Sequence, residues 1–314
     1  MMRSQQSGVA LITAILVVAI ASIAATALLV SASSSLRRSA NLFESEAAWW
    51  YADGLEAWGI SILQRDAKET QIDALNEVWA QPVPALPVDQ GVLRGQITDL
   101  HSRFNLNNLA SSDAAAWAEQ FQRLLGCVEG IDAFAAESLA LAIKDWIDAD
   151  DQVSFPGGAE DLSYMNLQPG YRTANQPLTS ISELRAVQGM SSEIYAVLRP
   201  HLTAIPLKGG QATPINLNTA TVPVLCSFTN GGPSPSLQGF AEERLELPLE
   251  TVQDAIDLKI FDANIPTQHA SVSSQTFELQ AEAFIGTGRV SLYSVVARNA
   301  GAKPQVLLHR ADTA

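Results

Sequence analysis

The sequence is short of charge, and of positive charge in particular. Charged residues make up 17% of its 314 positions, and 19 Lys and Arg face 33 Asp and Glu, giving a formal net charge of −14. A chain that binds nucleic-acid backbones needs a cationic surface, so this balance argues against nucleic acid as a partner. A hydrophobic share of 47% excludes an intrinsically disordered chain, and the length is sufficient for a sizeable core.

Cysteine and histidine are also scarce. Cys127 and Cys226 are too few for a disulfide framework and lack the CxxC spacing of a zinc cluster. In an oxidising compartment they form either one bridge or two buried thiols, and we favour the bridge. The four histidines fall in no HExxH or GxSxG context, so we interpret them as structural or exposed and expect no enzymatic activity.

A long uncharged run is present near the N-terminus. No side chain from Ser4 to Leu36 is charged, and Val9 to Val30 is apolar apart from Thr13, Ser22 and Thr26. At about 1.5 Å per residue this segment makes a helix of about 33 Å, which is long enough to cross a bilayer. The alternative is a secretory signal peptide, whose apolar core is shorter. We therefore expect a single-pass membrane helix.

The boundary before this run resembles a type IV prepilin signal. A short polar leader ends at Gly8 and is followed directly by the apolar helix from Val9. In prepilins a dedicated peptidase cuts after this Gly on the cytoplasmic face and methylates the new N-terminus, so the resemblance implies cleavage between Gly8 and Val9. Most members of that superfamily carry Glu at the fifth mature position, where this chain has Thr13. The subunit known to lack that Glu is the one at the tip.

Beyond the membrane segment, the helical pattern continues. Apolar residues recur at three- and four-residue spacing at Ala47, Trp50, Tyr51, Leu55, Trp58 and Ile62. The pattern predicts that the helix extends to about Lys68, with its aromatic face packed on a globular head. Three prolines, Pro82, Pro84 and Pro87, then predict a linker.

Strand patterns follow this linker and recur at the C-terminal end. Gly91 to Leu100 is typical of a strand, and Thr276 to Ala283 alternates polar and apolar residues without exception. A Gly286-Thr287-Gly288 turn leads to Val290–Ala297 and then to Val306–His309. This order predicts an antiparallel meander with one solvated face.

The region between the strands is mainly helical and contains a near-repeat. Phe104–Leu109 and Ile215–Ala220 each place an extended apolar pair before Asn or Thr residues suited to cap a helix. The repeat suggests two related helical units. A helix, a Gly hairpin and a second helix over Ser182–Leu198 resemble DNA-binding helix-hairpin-helix modules, but the hairpin lacks a basic cluster, so a packed helical hairpin is favoured.

One acidic loop concentrates negative charge. Between Asp145 and Asp161 there are six carboxylates and no Lys or Arg: Asp145, Asp148, Asp150, Asp151, Glu160 and Asp161. A folded loop of this kind relieves its repulsion by shifted pKa values, by solvation or by a hard cation such as calcium. Spacing alone leaves a calcium site and a solvated loop equally open, and a glycosidase carboxylate pair is a weaker third alternative.

Six segments together resemble a known family: GVALITAILVVAIA, AWWYADGLEAW, RFNLNNL, DWIDADD, GGAEDLSYMNLQPGYRTANQPLTSISELRAVQGM and INLNTATVPVL. They are similar to the K-type minor pseudopilins of bacterial type II secretion systems. The resemblance implies an α+β, pilin-like fold: a long N-terminal helix packed on an antiparallel β-sheet, with a large mainly α-helical domain inserted between strands. The implied organisation is a leader (1–8), a transmembrane helix (9–32), the first part of the head (33–104), the inserted domain (105–213) and a return to the head (214–314).

The same resemblance implies ligands and partners. It implies two structural calcium ions in the inserted domain, for which we expect Asp148, Asp150, Glu160 and Asp161 as ligands and Asp151 and Asn175 as further candidates. It also implies a tip complex with the I- and J-type minor pseudopilins, the H-type next below, and processing by the prepilin peptidase. The protein would sit in the inner membrane with its head in the periplasm and its N-terminus cytoplasmic before processing, and would support export of folded exoproteins. The alternative function is a membrane-anchored, helix-hairpin-helix DNA-uptake protein.

Overall fold

A computed structural model describes residues 6–229, 232–261, 266–299 and 303–313, so the first five residues of the expected leader lie outside the described part. The helices are α1 (Gln6–Glu69), α2 (Ala114–Gly126), α3 (Ala133–Ile147), α4 (Asp161–Met165), α5 (Ser192–Leu198), α6 (Val222–Cys226), α7 (Pro235–Glu243) and α8 (Val252–Asp257). The strands are β1 (Val83–Val88), β2 (Gly91–Asp99), β3 (Phe104–Asn105), β4 (Leu202–Thr203), β5 (Ile215–Asn216), β6 (Ala270–Ser271), β7 (Thr276–Ile285), β8 (Gly288–Ala297) and β9 (Gln305–Thr313).

Five strands form one antiparallel sheet in the order β1-β2-β7-β8-β9. The predicted meander is confirmed, because the alternation in Thr276–Ala283 places Leu279, Ala281 and Ala283 in the core and leaves Glu278 half-exposed on the other face. The predicted linker around Pro84 and Pro87 is wrong, because this segment forms β1. An edge strand tolerates proline, which has no N–H to donate to a neighbouring strand.

Helix α1 is a single element of 64 residues, and its second half packs on the sheet. The buried positions of the packed face are Ala48, Ala52, Leu55, Gly59 and Leu63. The predicted contact face is therefore confirmed in part: Leu55 is buried and Ala47, Tyr51 and Ile62 pack against the core, whereas Trp50 and Trp58 are exposed. Small residues are needed there because the helix lies close to the strands. A Cβ on Gly59 would come within 2.9 Å of the Leu279 side chain.

The β7–β8 hairpin contacts α1 at the N-terminal end of the region in which the helix packs on the sheet. Glu44 accepts hydrogen bonds from the backbone N (2.7 Å) and the hydroxyl (2.7 Å) of Thr287, and these bonds lower the pKa of Glu44. Gly288 lies directly against the α1 backbone, where an added Cβ would come within 2.7 Å of the Glu44 carbonyl. Helix and hairpin are therefore joined by close backbone packing as well as by hydrogen bonds.

The inserted region forms its own hydrophobic core, which includes buried side chains from Phe104 to Ala270. Helices α6 to α8 contribute to this core rather than to the sheet core. The expected boundary at residue 213 is therefore too early, and the sheet resumes only at β7. The chain leaves the sheet after Asp99 and returns at Thr276, at the end of the sheet where Leu63 of α1 packs with Phe277.

The near-repeat of Asn residues has the same local structure in both copies. Asn107 receives a hydrogen bond from Leu178 N (2.7 Å) and donates to Leu178 O (3.0 Å). Asn218 does the same with Leu249 N (2.8 Å) and Leu249 O (3.0 Å). The two short strands that precede these motifs, β3 and β5, each pair in parallel with a later strand, β4 and β6. The helical region thus contains two related units, as the repeat predicts.

Candidate functional site

The acidic loop begins at the end of α3 and turns back toward it. Asp132 caps the N-terminus of α3 through Phe134 N and Ala135 N, and the helix ends at Ile147, directly before Asp148. Gly158 makes the return possible, because a Cβ at this position would collide with the Asp145 carboxylate and the Ser154 carbonyl. Helix α4 then starts at Asp161, which brings Glu160 back beside the loop.

Three of the predicted ligands converge in this turn. Asp148, Asp150 and Glu160 each offer one carboxylate oxygen, and these oxygens all lie within 4.8 Å of one another. Burial, with Asp150 and Asp145 nearby, raises the pKa of Asp148 to about 6. Burial, with Asp145 and Asp148 nearby, raises the pKa of Glu160 to about 7. The turn therefore brings carboxylates together in a partly buried place, and the neighbouring Lys144 offsets their repulsion only in part.

Several oxygens of this cluster have no protein partner among the described residues. They are Asp145 Oδ1, Asp148 Oδ1, Glu160 Oε1 and Asn175 Oδ1, and each is buried. A buried acceptor without a donor costs free energy, and an all-oxygen set of carboxylates and an amide carbonyl is the chemistry that calcium prefers. The residues present fit a calcium ion.

The remaining predicted ligands are engaged in protein contacts. Asp161 accepts hydrogen bonds from Thr173 N (3.0 Å) and Thr173 Oγ1 (2.9 Å) and lies 3.5 Å from Arg172 Nη1. Asp151 Oδ1 accepts a hydrogen bond from Asn175 Nδ2 (2.9 Å), while the buried Asn175 Oδ1 has no donor among the described residues. Asp161 is thus held by Thr173 and Arg172, whereas Asn175 keeps a free acceptor.

Sequence reasoning placed Asp145 in the loop but did not select it as a ligand. Its side chain is fully buried, Oδ2 accepts a hydrogen bond from Ser154 N (3.0 Å), and Oδ1 is without a partner. The signal was present in the sequence, because Asp145 and Asp148 are three residues apart at the end of a helix and such residues share a face.

A second group of carboxylates, Asp66, Asp73 and Glu77, is already paired with protein donors. Arg298 Nη1 lies 2.7 Å from Asp66 Oδ2, and Nη2 pairs with Asp73. Glu77 Oε2 accepts hydrogen bonds from Ala74 N (2.8 Å) and Trp79 Nε1 (2.8 Å). The Arg298 guanidinium therefore neutralises these carboxylates, which distinguishes this group from the acidic loop.

The two cysteines are joined in the inserted region. Cys127, at the end of α2, is disulfide-bonded to Cys226, at the end of α6, with a Cα–Cα distance of 6.2 Å. The bridge therefore ties the first related helical unit to the second, across 99 positions of sequence.

The outer face of α1 carries a row of exposed apolar side chains. Leu36, Phe43 and Trp50 recur every seven residues and are 72%, 71% and 65% exposed. Seven residues are about two helical turns, so these side chains lie on one face. Trp58 continues the row beside a groove of about 230 Å³ formed with Val78 and Ile97. We refer to Leu36, Phe43, Trp50 and Trp58 as the stem row.

Helix α1 is long enough and apolar enough to cross a membrane, by length and composition alone. The most apolar 18-residue window of the helix has a mean hydropathy of 2.6, and none of it is buried. Gly8 and Val9 lie within α1, and apart from the helix's own backbone no described atom comes within 4 Å of the position of an added Gly8 Cβ. Thr13 Oγ1 bonds to the carbonyls of Val9 (3.1 Å) and Ala10 (3.0 Å), so its hydroxyl is satisfied within the helix.

Comparison with known proteins assigns the chain to a family. A family profile described as type II secretion system (T2SS), protein K, matches residues 102–207. Type II secretion system protein K of Pseudomonas aeruginosa is 32% identical over 98% of this chain and 93% of its own length, and that of Pectobacterium carotovorum is 33% identical over 91% and 90%. A chain in the crystal structure of the GspK-GspI-GspJ complex from enterotoxigenic Escherichia coli superposes with a TM-score of 0.74 at 27% identity, covering 88% of this chain and 99% of that one. The resemblance seen in the sequence motifs is thereby confirmed, and the chain belongs to the protein K family of type II secretion systems, the K-type minor pseudopilins.

Proposed function

We propose that this protein is the tip subunit of a type II secretion pseudopilus. In this role α1 anchors the chain in the inner membrane, the head lies in the periplasm, and I- and J-type minor pseudopilins pack beside it with the H-type below. The complex would start pseudopilus assembly and support export of folded exoproteins, so its action would be assembly rather than catalysis. Interaction with I- and J-type partners is supported by the complex in which the similar structure was solved.

The main support for a position at the tip of the pseudopilus is the end of the sheet from which the inserted region departs. Glu44 and the β7–β8 hairpin mark the end of the sheet nearest the membrane segment, whereas the insertion departs at Asp99 and Thr276, at the opposite end. A helical region at that end covers the surface on which a further subunit would stack. Thr13 supports the same position, because a terminal subunit has no neighbour above whose N-terminal amine needs a carboxylate.

The stem row is the surface that we propose contacts the N-terminal helices of the partner pseudopilins. Helices that share a membrane and run side by side bury apolar side chains at a seven-residue repeat. An exposed row of this length is otherwise unfavourable in water.

Co-purification tests this assembly. The full chain carrying Phe43→Ser and Trp50→Ser should lose most of its recovery with co-expressed I- and J-type pseudopilins, while its melting temperature is retained. Phe134→Ser is a matched control, because Phe134 is equally exposed (74%) but lies on α3. Undiminished recovery of both partners by the double variant would contradict the proposed surface.

Processing offers a separate test of the pseudopilin pathway. Substitution of Gly8 by Val should leave the leader uncleaved by a prepilin peptidase and the new N-terminus unmethylated, which intact-mass measurement detects. Complete cleavage of the Gly8→Val chain would contradict a prepilin-type signal.

We also propose that the acidic loop holds structural calcium, two ions in all, with Asp148, Asp150 and Glu160 as central ligands. Asp145 and Asn175 would each supply a buried acceptor that has no donor among the described residues, and Asp151 and Asp161 complete the loop. A bound calcium ion would offset the mutual repulsion of these carboxylates and hold the return of the loop to α3. Unpartnered buried oxygens are the observation that supports this site.

A further inference from the structure

The two edges of the main sheet differ in how they are protected. The β1 edge carries Pro84 and Pro87, which have no N–H to donate to a further strand and therefore discourage pairing. The β9 edge contains no proline over its nine residues, and every residue from Gln305 to Asp312 is exposed. An exposed edge strand presents unpaired N–H and C=O groups, which form a template for one more strand.

The β9 edge is also apolar where it meets the inserted region. A bulge opposite Val295 and Val296 leaves Leu307 as the extra residue between the paired Val306 and Leu308. Leu307 and Leu308 are 43% and 55% exposed, and both line a cleft of about 550 Å³. The bulge is what allows two adjacent side chains to contribute to the same cleft.

This cleft lies on the face of the sheet that points away from α1. Ser294 bonds to Glu56 of α1, so its neighbour Val295 points to the opposite face, and Leu308 is the partner of Val295. The opposite wall is formed by Leu178, Ile181, Ile205 and Leu207 of the inserted region. The stem row, which lies on α1, is on the other side of the head and is not part of this surface.

Cations accompany the apolar walls. Arg103 lines the cleft and forms no salt bridge within the described part of the chain, and Arg310 lies on the same face of β9, opposite Tyr293. Glu278 also lines the cleft, so its lining holds one guanidinium and one carboxylate, while the Arg310 guanidinium lies over the Tyr293 ring, 5.9 Å from its centroid. Because Arg103 forms no salt bridge with Glu278 or with any other described residue, a carboxylate brought by an occupant can pair with it.

We propose that β9 accepts an extended segment of a partner polypeptide as a sixth strand of the sheet. Backbone hydrogen bonds to β9 would hold the segment, alternate apolar side chains would enter the cleft beside Leu307 and Leu308, and a carboxylate would pair with Arg103. An extended segment is favoured over a helix because only a strand satisfies the open backbone edge. This proposal does not depend on the tip assembly proposed above.

A peptide titration tests the proposal on the full chain in detergent micelles. The probe is a fluorescein-labelled nine-residue peptide of alternating Val and Thr with one Glu, and fluorescence anisotropy reports its binding. Binding should be saturable and should weaken by about tenfold in Leu308→Lys, which places a charge in the cleft. Leu86→Lys is the matched control, because Leu86 is 41% exposed on the protected β1 edge, and it should bind the peptide like the wild type.

Two further comparisons separate the parts of the proposal. Arg103→Gln should weaken binding of the Glu peptide but not of its Gln counterpart, and a peptide N-methylated at alternate amides should not bind. Equal binding of the probe by wild type and Leu308→Lys, with both proteins folded by circular dichroism, would overturn the site. A wild-type dimer in sedimentation that Leu308→Lys dissociates without peptide would also overturn it, because a second copy would then cover the edge.

Discussion

At the scale of single residues, His101 connects local burial to pH dependence. It lies where the inserted region joins the sheet, and its Nε2 accepts a hydrogen bond from Gln275 N (3.3 Å). Burial lowers the pKa of His101 from 6.5 to about 4, so the folded protein holds a neutral imidazole. The unfolded chain binds a proton at higher pH than the folded one, and acid therefore favours unfolding.

We expect His101 to make the head less stable as the pH falls from about 6.5 to 4. The change in its pKa corresponds to about 3 kcal/mol when protonation of the unfolded state is complete. His101→Gln keeps an acceptor for Gln275 N but cannot titrate, so its unfolding free energy should decline less over this range. Urea unfolding between pH 4 and 7.5 measures the difference, and parallel profiles for the two proteins would show that His101 is not responsible.

A second residue prediction concerns Gly288, which lies against the backbone of α1. Because an added methyl would meet the Glu44 carbonyl and the Ser45 amide rather than a movable side chain, Gly288→Ala should destabilise the protein by about 1 to 3 kcal/mol. Gly239→Ala on α7 is the control, since nothing lies within 4 Å of its Cβ position and alanine favours a helix. In thermal unfolding, the melting temperature of Gly239→Ala should equal or exceed that of the wild type. An unchanged melting temperature for Gly288→Ala would contradict the close packing, because it would show that α1 can move away from the hairpin.

At the scale of elements, the bridge between α2 and α6 constrains the inserted region. The bridge closes a loop of 99 residues and so lowers the entropy of the unfolded chain. In the chain-entropy model this stabilises the folded state by about 4 to 5 kcal/mol, and the stabilisation measured for disulfides is typically about 2 to 4 kcal/mol. The double variant Cys127→Ala, Cys226→Ala should therefore unfold at a lower urea concentration than the wild type.

Reductant provides the control for this bridge. It should lower the urea midpoint of the wild type to near that of the double variant and leave the double variant unchanged. If oxidised wild type and double variant had the same midpoint, the bridge would contribute nothing to stability.

The acidic loop makes a second prediction at this scale. If the acidic loop holds calcium as proposed, chelation should lower the melting temperature of the full chain by several degrees, because the buried oxygens of Asp148, Glu160 and Asn175 would lose their cation. Glu160→Gln should reduce the response to chelator. Glu137→Gln, an exposed change on α3 next to the loop, should respond like the wild type. A melting temperature that is insensitive to chelator in all three proteins would exclude structural calcium.

The elements also show which features the sequence could predict. The length of α1 and the β7–β8 meander could be predicted from periodicity. A long apolar run at helical spacing is compatible with little besides a helix, and strict polar–apolar alternation with little besides a half-buried strand. The packed face of α1 was predicted only in part. Leu55 follows from hydrophobicity, but Ala48, Ala52 and Gly59 lie against the sheet because close approach of helix and strands requires small side chains, and a count of hydrophobicity favours Trp50 and Trp58 instead. The boundary of the inserted region also failed, because a core assembled from distant segments leaves no local signal.

At the scale of the whole molecule, one continuous helix sets the height of the head above the membrane segment. Deletion of the seven residues Ser33–Ser39 removes about two turns and keeps the helical phase, so the head should fold with an unchanged melting temperature. The head would lie about 10 Å lower than those of its partners, and we expect co-purification with I- and J-type pseudopilins to fail. Arg37→Ser with Arg38→Ser controls for the lost charges, and recovery of partners by the deletion variant would show that height is unimportant.

The exposed turns of α1 between Val30 and Asn41 also have an electrostatic consequence. Asn41 is near Thr287, so the free segment is Ser31–Ala40, which spans about 15 Å. The Debye length at physiological salt is about 8 Å, so this distance is about two screening lengths. A head of strongly acidic character held that far from an anionic lipid surface experiences little repulsion from it, and the negative charge of the protein is therefore compatible with an anchor in the same bilayer.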